Sequence, residues 1–434
     1  MSYKAVKINI PKYPKLIVDT LNKNGYEAYI VGGCVRDYLL GVKASDYDIT
    51  TNATPEVIKK IFNKTIDTGI KHGTVSVLFY DKSEPKTFEV TTYRIDGTYN
   101  DGRHPENVQF VKDLKEDLRR RDFTVNAMAY NDEVGLVDNF GGTIDIKNKI
   151  IRAVGNPYER FEEDGLRLLR AIRFAAKLGF NIEEDTKVAI PKLARNLKLI
   201  SKERVQVELT KTITSNHPEY VELVFSLGLA KYICDGFENI KLAKFGKKLS
   251  VHLAYACLLY NESASFANKI LKDLKLDNNN ISKINKLIEA KNIYREIESI
   301  YLKSSENHKE ITYSGFSSIV SNDCEVKIKE LIEFLDYDLA FDFLKLLSIN
   351  ENNGKLIKYI YKNVSLFEKN EEPIKIKDLN IDGNILKNIG YAGEEVGFAL
   401  YKLKGIIHKY PDFNEKKLLH EMAKIAYNIY SKNH

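Results

Sequence analysis

Tryptophan is absent from this 434-residue chain, and proline (ten), cysteine (four) and methionine (three) are scarce. The missing tryptophan says little about mechanism, whereas the few cysteines are informative. Cys34, Cys234, Cys257 and Cys324 stand far apart with no metal-ligand spacing, so they read as reduced thiols of a cytosolic protein. The eight histidines form no zinc motif, and no His-Asp dipeptide occurs, which excludes the metal phosphohydrolases that use one. No apolar run is long enough to cross a bilayer. The first fifteen residues lack the apolar core of a signal peptide. A cytoplasmic protein with no membrane partner is expected. Neither charge sign dominates either: 66 Lys+Arg against 60 Asp+Glu leave only +6, so the placement of charge matters more than its sum. The length exceeds one typical core and predicts several domains.

What is present concentrates between Tyr29 and Thr51. Tyr29-Ile30-Val31 predicts a short buried strand. Gly32 and Gly33 follow, then a helix over Val35–Leu40 stopped by Gly41. The chain returns as Asp46-Tyr47-Asp48-Ile49-Thr50, where strand alternation places Asp46 and Asp48 on one face. Two such carboxylates repel unless a cation lies between them, and a divalent metal with oxygen ligands is the natural candidate. Glycines at a strand-to-helix turn let backbone amides approach phosphate oxygens. A tight turn and an N-capping aspartate would explain the glycines, but not two aspartates aimed together.

Gly-Gly-x-x-Arg-Asp, a short helix and then Asp-x-Asp resembles the signature of the polymerase β-like nucleotidyltransferases. Within them it resembles the class II family of tRNA nucleotidyltransferases and bacterial poly(A) polymerases. The resemblance implies an α+β fold: an N-terminal nucleotidyltransferase head with a mixed sheet, then an all-helical C-terminal half. It also implies Mg²⁺ at Asp46 and Asp48, with Gly32, Gly33 and Arg36 seating phosphates.

Further motifs occur in family order. Lys86–Tyr93 alternates as a strand with Glu89 opposite Phe88 and Val90, which makes Glu89 a candidate third catalytic carboxylate; an exposed strand glutamate is the ordinary alternative. Arg94–Val108 is polar and glycine-rich, a long loop carrying Arg94, Asp96, Arg103 and His104. It resembles the flexible loop of the CCA- and A-adding members. Arg120-Arg121-Asp122-Phe123-Thr124-x-Asn126-Ala127 resembles a second family motif. Arg121 would hold triphosphate oxygens, as guanidinium forks do, and Asp122 and Asn126 would meet ribose hydroxyls.

Beyond Pro157 strand alternation gives way to helical periodicity, with Asn156-Pro157 starting one long helix that ends at Gly179. Leu168, Leu169, Ile172 and Ala176 form its core stripe. Exposed-helix salt bridging would explain its charges. However, Glu163-Asp164-x-x-Arg167-x-x-Arg170-Ala171-x-Arg173-Phe174 resembles the family's base-reading motif. Asp164 and Arg167, one turn apart, supply an acceptor for an exocyclic amine and a donor for a bare ring nitrogen, which cytosine and adenine offer and uracil and guanine do not. Ser201-Lys202-Glu203-Arg204 resembles the family's next segment. Breaks are expected at Ser304–His308 and Asn350–Gly354. Lys402, Lys404, Lys409, Lys416 and Lys417 form a possible phosphate-tracking face.

The expected division is a head at 1–154, a base-recognising neck at 155–214, a body at 215–350 and a tail at 351–434, the last two holding tRNA. The expected activity is addition of C, C and A to a tRNA 3′ end from CTP and ATP by two-metal chemistry, with no protein partner implied. A-adding and poly(A)-polymerase activities are the alternatives within the family. An RNA-binding protein with a relic site and a small-molecule nucleotidyltransferase are the alternatives outside it.

Overall fold

The computed structural model describes residues 6–81, 84–96, 108–307 and 316–431. They fall into two compact units: Met1–Asn239 with Lys247–Leu249 and Asp273–Lys275, and Ile240–Gly246 with Ser250–Lys272 and Leu276–His434. The boundaries drawn from the sequence are finer than this partition.

The first unit begins with α1 (Lys12–Lys23), β1 (Ala28–Val31), α2 (Gly33–Leu39), β2 (Asp48–Thr51), α3 (Pro55–Ile61), β3 (Thr65–Gly69), β4 (Thr74–Asp81) and β5 (Glu84–Thr92). It continues through β6 (Arg94–Asp96), β7 (Val108–Phe110), α4 (Leu114–Arg119), β8 (Met128–Asn131), β9 (Gly135–Asp138), α5 (Gly142–Asn148) and β10 (Ile150–Ile151). Then come α6 (Pro157–Glu163), α7 (Leu166–Leu178), β11 (Asn181–Ile182), α8 (Glu184–Leu193), α9 (Lys202–Ile213) and α10 (Glu222–Ser226).

Seven strands make one sheet in the order β3-β4-β5-β2-β1-β8-β9. It is mixed, because β2 and β5 run parallel while the other pairs are antiparallel. Both faces are covered at β1. Ala28 and Ile30 join a core with Ile17, Leu21, Ile49, Val75 and Val90, while Tyr29 and Val31 pack with Tyr93, Leu114 and Leu118. Alternation along β2 sends Ile49 into the first core and leaves Asp48 and Thr50 on the face of α4, where the Thr50 hydroxyl donates to Asp117 at 3.1 Å.

The second unit is helical: α11 (Val251–Leu258), α12 (Ala264–Asp273), α13 (Asn278–Asn307), α14 (Phe316–Leu335), α15 (Tyr337–Asn350), α16 (Gly354–Lys369), α17 (Gly383–Ile389), α18 (Glu394–Lys409) and α19 (Lys416–Ser431). A separate small core under α17, α18 and α19 gathers Leu386, Leu403, Ile407, Leu419 and Ala423.

Several expectations change. The helix over 157–178 is two helices. Asp164 is extended, at φ −142°, and Gly165 sits where a Cβ would lie 2.9 Å from the Asn196 carbonyl oxygen, so α7 starts against that backbone instead of continuing α6. Asp46 lies outside the strand. The ladder starts at Val31–Asp48, because beyond Val31 the partner chain turns away at Gly32, φ +81°. The ends of the Arg94–Val108 segment are strands, β6 pairing with β7; Arg103 and His104 lie outside the described residues. Ser304–Asn307 continue α13, and His308 is outside the description. The expected break at Asn350–Gly354 is a three-residue turn capped by the Asn353 side chain, which accepts from the Leu356 amide at 3.2 Å. Lys404 leaves the proposed lysine face: it is buried and paired to Glu333 at 2.6 Å.

The contact at Gly165 sets a test. Gly165→Ala should lower the thermal midpoint by an amount corresponding to about 1–3 kcal/mol of overpacking. An unchanged midpoint by calorimetry would show that the helix break has another cause.

Candidate active site

A cleft of about 500 Å³ opens in the first unit, lined from the β1–α2 turn, the chain before β2, the end of α4 and the α6–α7 joint. Its wall holds Gly32, Gly33, Arg36, Asp46, Asp48, Arg121, Asp122, Asn126, Asp164, Arg167 and Arg170, residues spread over more than 130 positions of sequence. Two expected members stand outside it. Glu89 is exposed on β5, one step before Val90, whose partner on β2 is Ile49; this register sets Glu89 beside Asp48. Arg173 lies behind the wall with its Nε 2.5 Å from Glu208 Oε2, an ion pair misaligned for a hydrogen bond, and its guanidinium 3.9 Å above the Phe174 ring.

The glycine turn is sterically fixed. A Cβ on Gly32 would come within 3.2 Å of Arg121 Nη1, and the positive φ there disfavours other residues. Helix α2 has only seven residues, so its dipole contributes little, and anion attraction here falls to the guanidiniums. Arg36 is buried at 2% exposure, with three N–H donors spent on Asp37 (2.6 and 2.8 Å) and Asn126. It braces the turn more than it reaches out.

Buried carboxylates hold the other arginines. Asp117, fully buried on α4, pairs with Arg120 at 2.7 Å and Arg121 at 3.3 Å, and against the cost of its own burial these two guanidiniums keep it below the usual carboxylate range. Asp122 accepts from its neighbour's amide (2.8 Å), from Asn126 (3.2 Å) and from Arg170. Burial opposes its ionisation, yet Arg170 holds it down at about 2. The lone pairs of Asp122 and the amide of Asn126 are therefore largely committed within the protein.

At the α6–α7 joint Asp164 accepts from the Leu166 amide at 2.9 Å and from Arg204 at 2.8 Å. Arg167 donates through Nη1 to Glu163 (2.5 Å) and the Arg160 carbonyl (3.0 Å), and through Nη2 to the Arg120 carbonyl (2.9 Å). The two side chains are not paired to each other; each is oriented by other groups. Sequence reasoning passed over Asp37, Asp117, Lys177 and Glu208 as site residues, and treated Arg204 only as part of a motif. Asp117 alone carried a signal: it stands three and four residues before Arg120 and Arg121, neighbours on a helix.

The carboxylate pair is electrostatically unsatisfied. Burial raises Asp48, Arg121 lowers it, and the Asp46 charge raises it again; Glu89 is raised by burial and by Asp48. Among the described residues no three His, Cys, Asp or Glu side chains are grouped to hold a metal by themselves. Magnesium, however, is commonly held by one or two carboxylates with substrate phosphates and water completing its shell, and two hard oxygen donors, of which Asp48 is raised, fit that requirement. Arg121 Nε is buried with no hydrogen-bond partner among the described residues, an orphan donor that an anionic ligand would satisfy. Cys34 at the same wall is inert, its thiol pushed up to about 12 by burial and Asp48.

Residues 28–152 match the family described as Poly A polymerase head domain, and residues 179–240 match the probable RNA and SrmB-binding site of polymerase A. The CCA-adding enzyme of Staphylococcus haemolyticus is 35% identical over 383 residues, covering 86% of this chain and 87% of that protein. Those of Ligilactobacillus salivarius and Enterococcus faecalis are 49% and 50% identical over 203 and 197 residues. In these two matches the chain spans about half the length of the relative, 49% and 48%. Among solved structures, the Bacillus stearothermophilus CCA-adding enzyme in complex with CTP superposes with a TM-score of 0.72 at 28% identity, over 98% of this chain and all of that one. The Thermotoga maritima CCA-adding enzyme complexed with tRNA shares the fold, with a TM-score of 0.63 at 20% identity over 98% of each chain.

The raised Asp48 pKa has a consequence for stability. Its folded value lies above that of the unfolded chain, about 3.9, so ionising it costs folding free energy. That cost is absent below the unfolded value and appears as pH rises through the folded one. In chelator, Asp48→Asn should therefore melt higher than wild type at pH 7, with the gap closing towards pH 4. A gap independent of pH, or a less stable variant at pH 7, would contradict the assignment.

Proposed function

The chain belongs to the CCA-adding enzyme family, and from that premise we propose that it is a template-independent tRNA nucleotidyltransferase, completing the 3′ CCA end of tRNA from CTP and ATP in the cytoplasm. No described helix is long and apolar enough to cross a membrane. One observation carries the reading: a single cleft gathers an oxygen-donor carboxylate pair, a surplus of guanidiniums and the Asp164–Arg167 couple.

Asp46 and Asp48 are the residues that would hold Mg²⁺, which when bound supplies Lewis acidity towards the tRNA 3′-hydroxyl and the departing pyrophosphate. Glu89 adds negative charge beside Asp48. Arg121, anchored by Asp117, offers its free Nε to triphosphate oxygens, and Arg170, anchored by Asp122, faces the same cleft. Asp164 uses two of the roughly four lone-pair sites of a carboxylate on Leu166 and Arg204, leaving room to accept from an exocyclic amine. Arg167 keeps Nε for a bare ring nitrogen. Cytosine and adenine satisfy both groups. Uracil or guanine sets like against like, at about 1–3 kcal/mol for each unsatisfied buried group. The neck is assigned to base recognition and the body and tail to tRNA, held through backbone and shape.

The test supplies tRNA ending before CCA, after C and after CC, with CTP and ATP separately and together. Two C additions, then one A, are expected, with UTP and GTP hardly used. Addition of A alone would indicate an A-adding enzyme, long A tails a poly(A) polymerase, and tRNA binding without incorporation a relic site. Asp46→Ala and Asp48→Ala should each abolish incorporation while tRNA binding persists. Asp164→Ala should lose base discrimination or incorporation; a variant that still excludes UTP and GTP would overturn the base-reading role.

A further inference from the structure

Helix α7 runs along one wall of the cleft, and its last cation, Lys177, belongs to none of the motifs above. Arg167, Arg170, Phe174 and Lys177 all line the same cavity. At 3.6 residues per turn they fall within about 80° of one another around the helix. They share one face, and Lys177 stands roughly 15 Å along the axis from Arg167. At the near end Asp164 and Arg167 face the cleft. The far end approaches the glycine turn: Lys177 Nζ lies 3.9 Å from Asp37 Oδ2, and Asp37 follows Arg36 on α2.

At this end the protein under-compensates the lysine's charge. The contact with Asp37 is longer than a hydrogen bond, and the other Asp37 oxygen already accepts from Arg36 at 2.6 and 2.8 Å. Burial and the neighbouring Arg36 guanidinium press the ammonium below its usual range, and Asp37 and Asp46 restore it only in part. A lysine in the last turn of a helix also complements the helix dipole, but that role requires no approach to a second helix. Lys177 differs in kind from the guanidiniums around it. Arg36, Arg121 and Arg170 are each clamped by an acid, Asp37, Asp117 and Asp122 respectively. A lysine is a point charge on a flexible stem, and with its side chain 49% exposed this one has room to follow an anion that moves.

We propose that Lys177 contacts the substrate: its ammonium meets the β- and γ-phosphates of the bound nucleoside triphosphate and stays with the pyrophosphate as it leaves. The inference rests on the nucleotidyl-transfer reading above. With the base at the Asp164–Arg167 end, an extended nucleoside triphosphate is about as long as the span to Lys177, so its terminal phosphates arrive there. In the reaction the tRNA 3′-oxygen bonds to the α-phosphorus, and the bond from that phosphorus to the bridging oxygen breaks. The electron pair of the broken bond stays on pyrophosphate, and the hydroxyl proton passes to water. Lys177 keeps its own proton and opposes the negative charge that gathers on the leaving group.

Equilibrium binding of CTP, CDP and CMP to the full chain, with Mg²⁺ and without tRNA, tests this in wild type, Lys177→Ala and Lys177→Arg. Lys177→Ala should weaken CTP about tenfold, the size of one lost hydrogen bond between charged groups, and weaken CDP less. It should leave CMP unchanged, which also reports an intact fold and base site. Lys177→Arg should restore most of the CTP affinity. Pyrophosphate should inhibit the alanine variant less than wild type. CTP binding unmoved by Lys177→Ala, or CTP and CMP weakened alike, would overturn the proposal. Incorporation of C and A into tRNA by wild type is scored separately. Its absence would overturn the nucleotidyl-transfer reading and this proposal with it, whereas an active wild type with an unaffected Lys177→Ala removes the lysine alone.

Discussion

Crowding of like charge is the constraint on which this site depends. Arg36, Arg120, Arg121, Arg167, Arg170 and Arg204 all line one cleft, with Arg173 directly behind. Two unit charges 4 Å apart in a partly buried setting interact by about 4 kcal/mol, so such a wall does not assemble from arginines alone. Asp37, Asp117, Asp122, Asp164, Glu163 and Glu208 interleave with them, each within ion-pair reach of at least one guanidinium. These acids offset part of the wall's positive charge and fix each fork in direction. Removing the arginine partners of Asp117, Asp122 or Glu208 strands a buried carboxylate, a loss of about 3–5 kcal/mol, which makes the arrangement rigid. The positive surplus that remains is what an anionic ligand meets.

The backbone sets where that wall can form. Strand β1 ends at Val31 because Gly32 turns the chain into α2, and its ladder with β2 therefore begins at Asp48. Asp48 thereby stands at the end of a rigid strand, while Asp46 approaches on the chain just before it. The joint at Asp164–Gly165 does the same between α6 and α7: a helix break, forced by close approach to Asn196, projects Asp164 into the cleft with both oxygens oriented. In each case an interrupted element, not a regular one, presents the functional side chain.

Much of this was legible in the chain itself. The short apolar run before Gly32 and the stripe Leu168, Leu169, Ile172, Ala176 are local patterns, and each is where the sequence predicts. The glycine turn and the Asp-x-Asp spacing marked one edge of the cleft for the same reason. The break between α6 and α7 was not legible, since periodicity runs through Gly165 and only a backbone thirty residues away interrupts it. Of the counter-charges only Asp117 left a trace, its helical spacing from Arg120 and Arg121, and its burial follows only once α4 is laid against β2 and Thr50. Glu208 and Arg204 reach the site from α9, and no local pattern connects them to α7. Glu89 depended on strand order, and the parallel pairing of β5 with β2 settles its neighbour, Asp48.

The account rests on buried acids acting through the arginines they hold. The most direct measurement is the CTP dissociation constant for wild type, Asp122→Asn, Arg170→Ala and the double variant, each checked for intact secondary structure. Coupled residues show interaction energies of about 0.5–3 kcal/mol. Asp122→Asn should weaken CTP binding by about tenfold in the wild-type background and leave it unchanged once Arg170 is gone. An equal loss in both backgrounds would mean that Asp122 meets the nucleotide independently of Arg170, and would contradict the account.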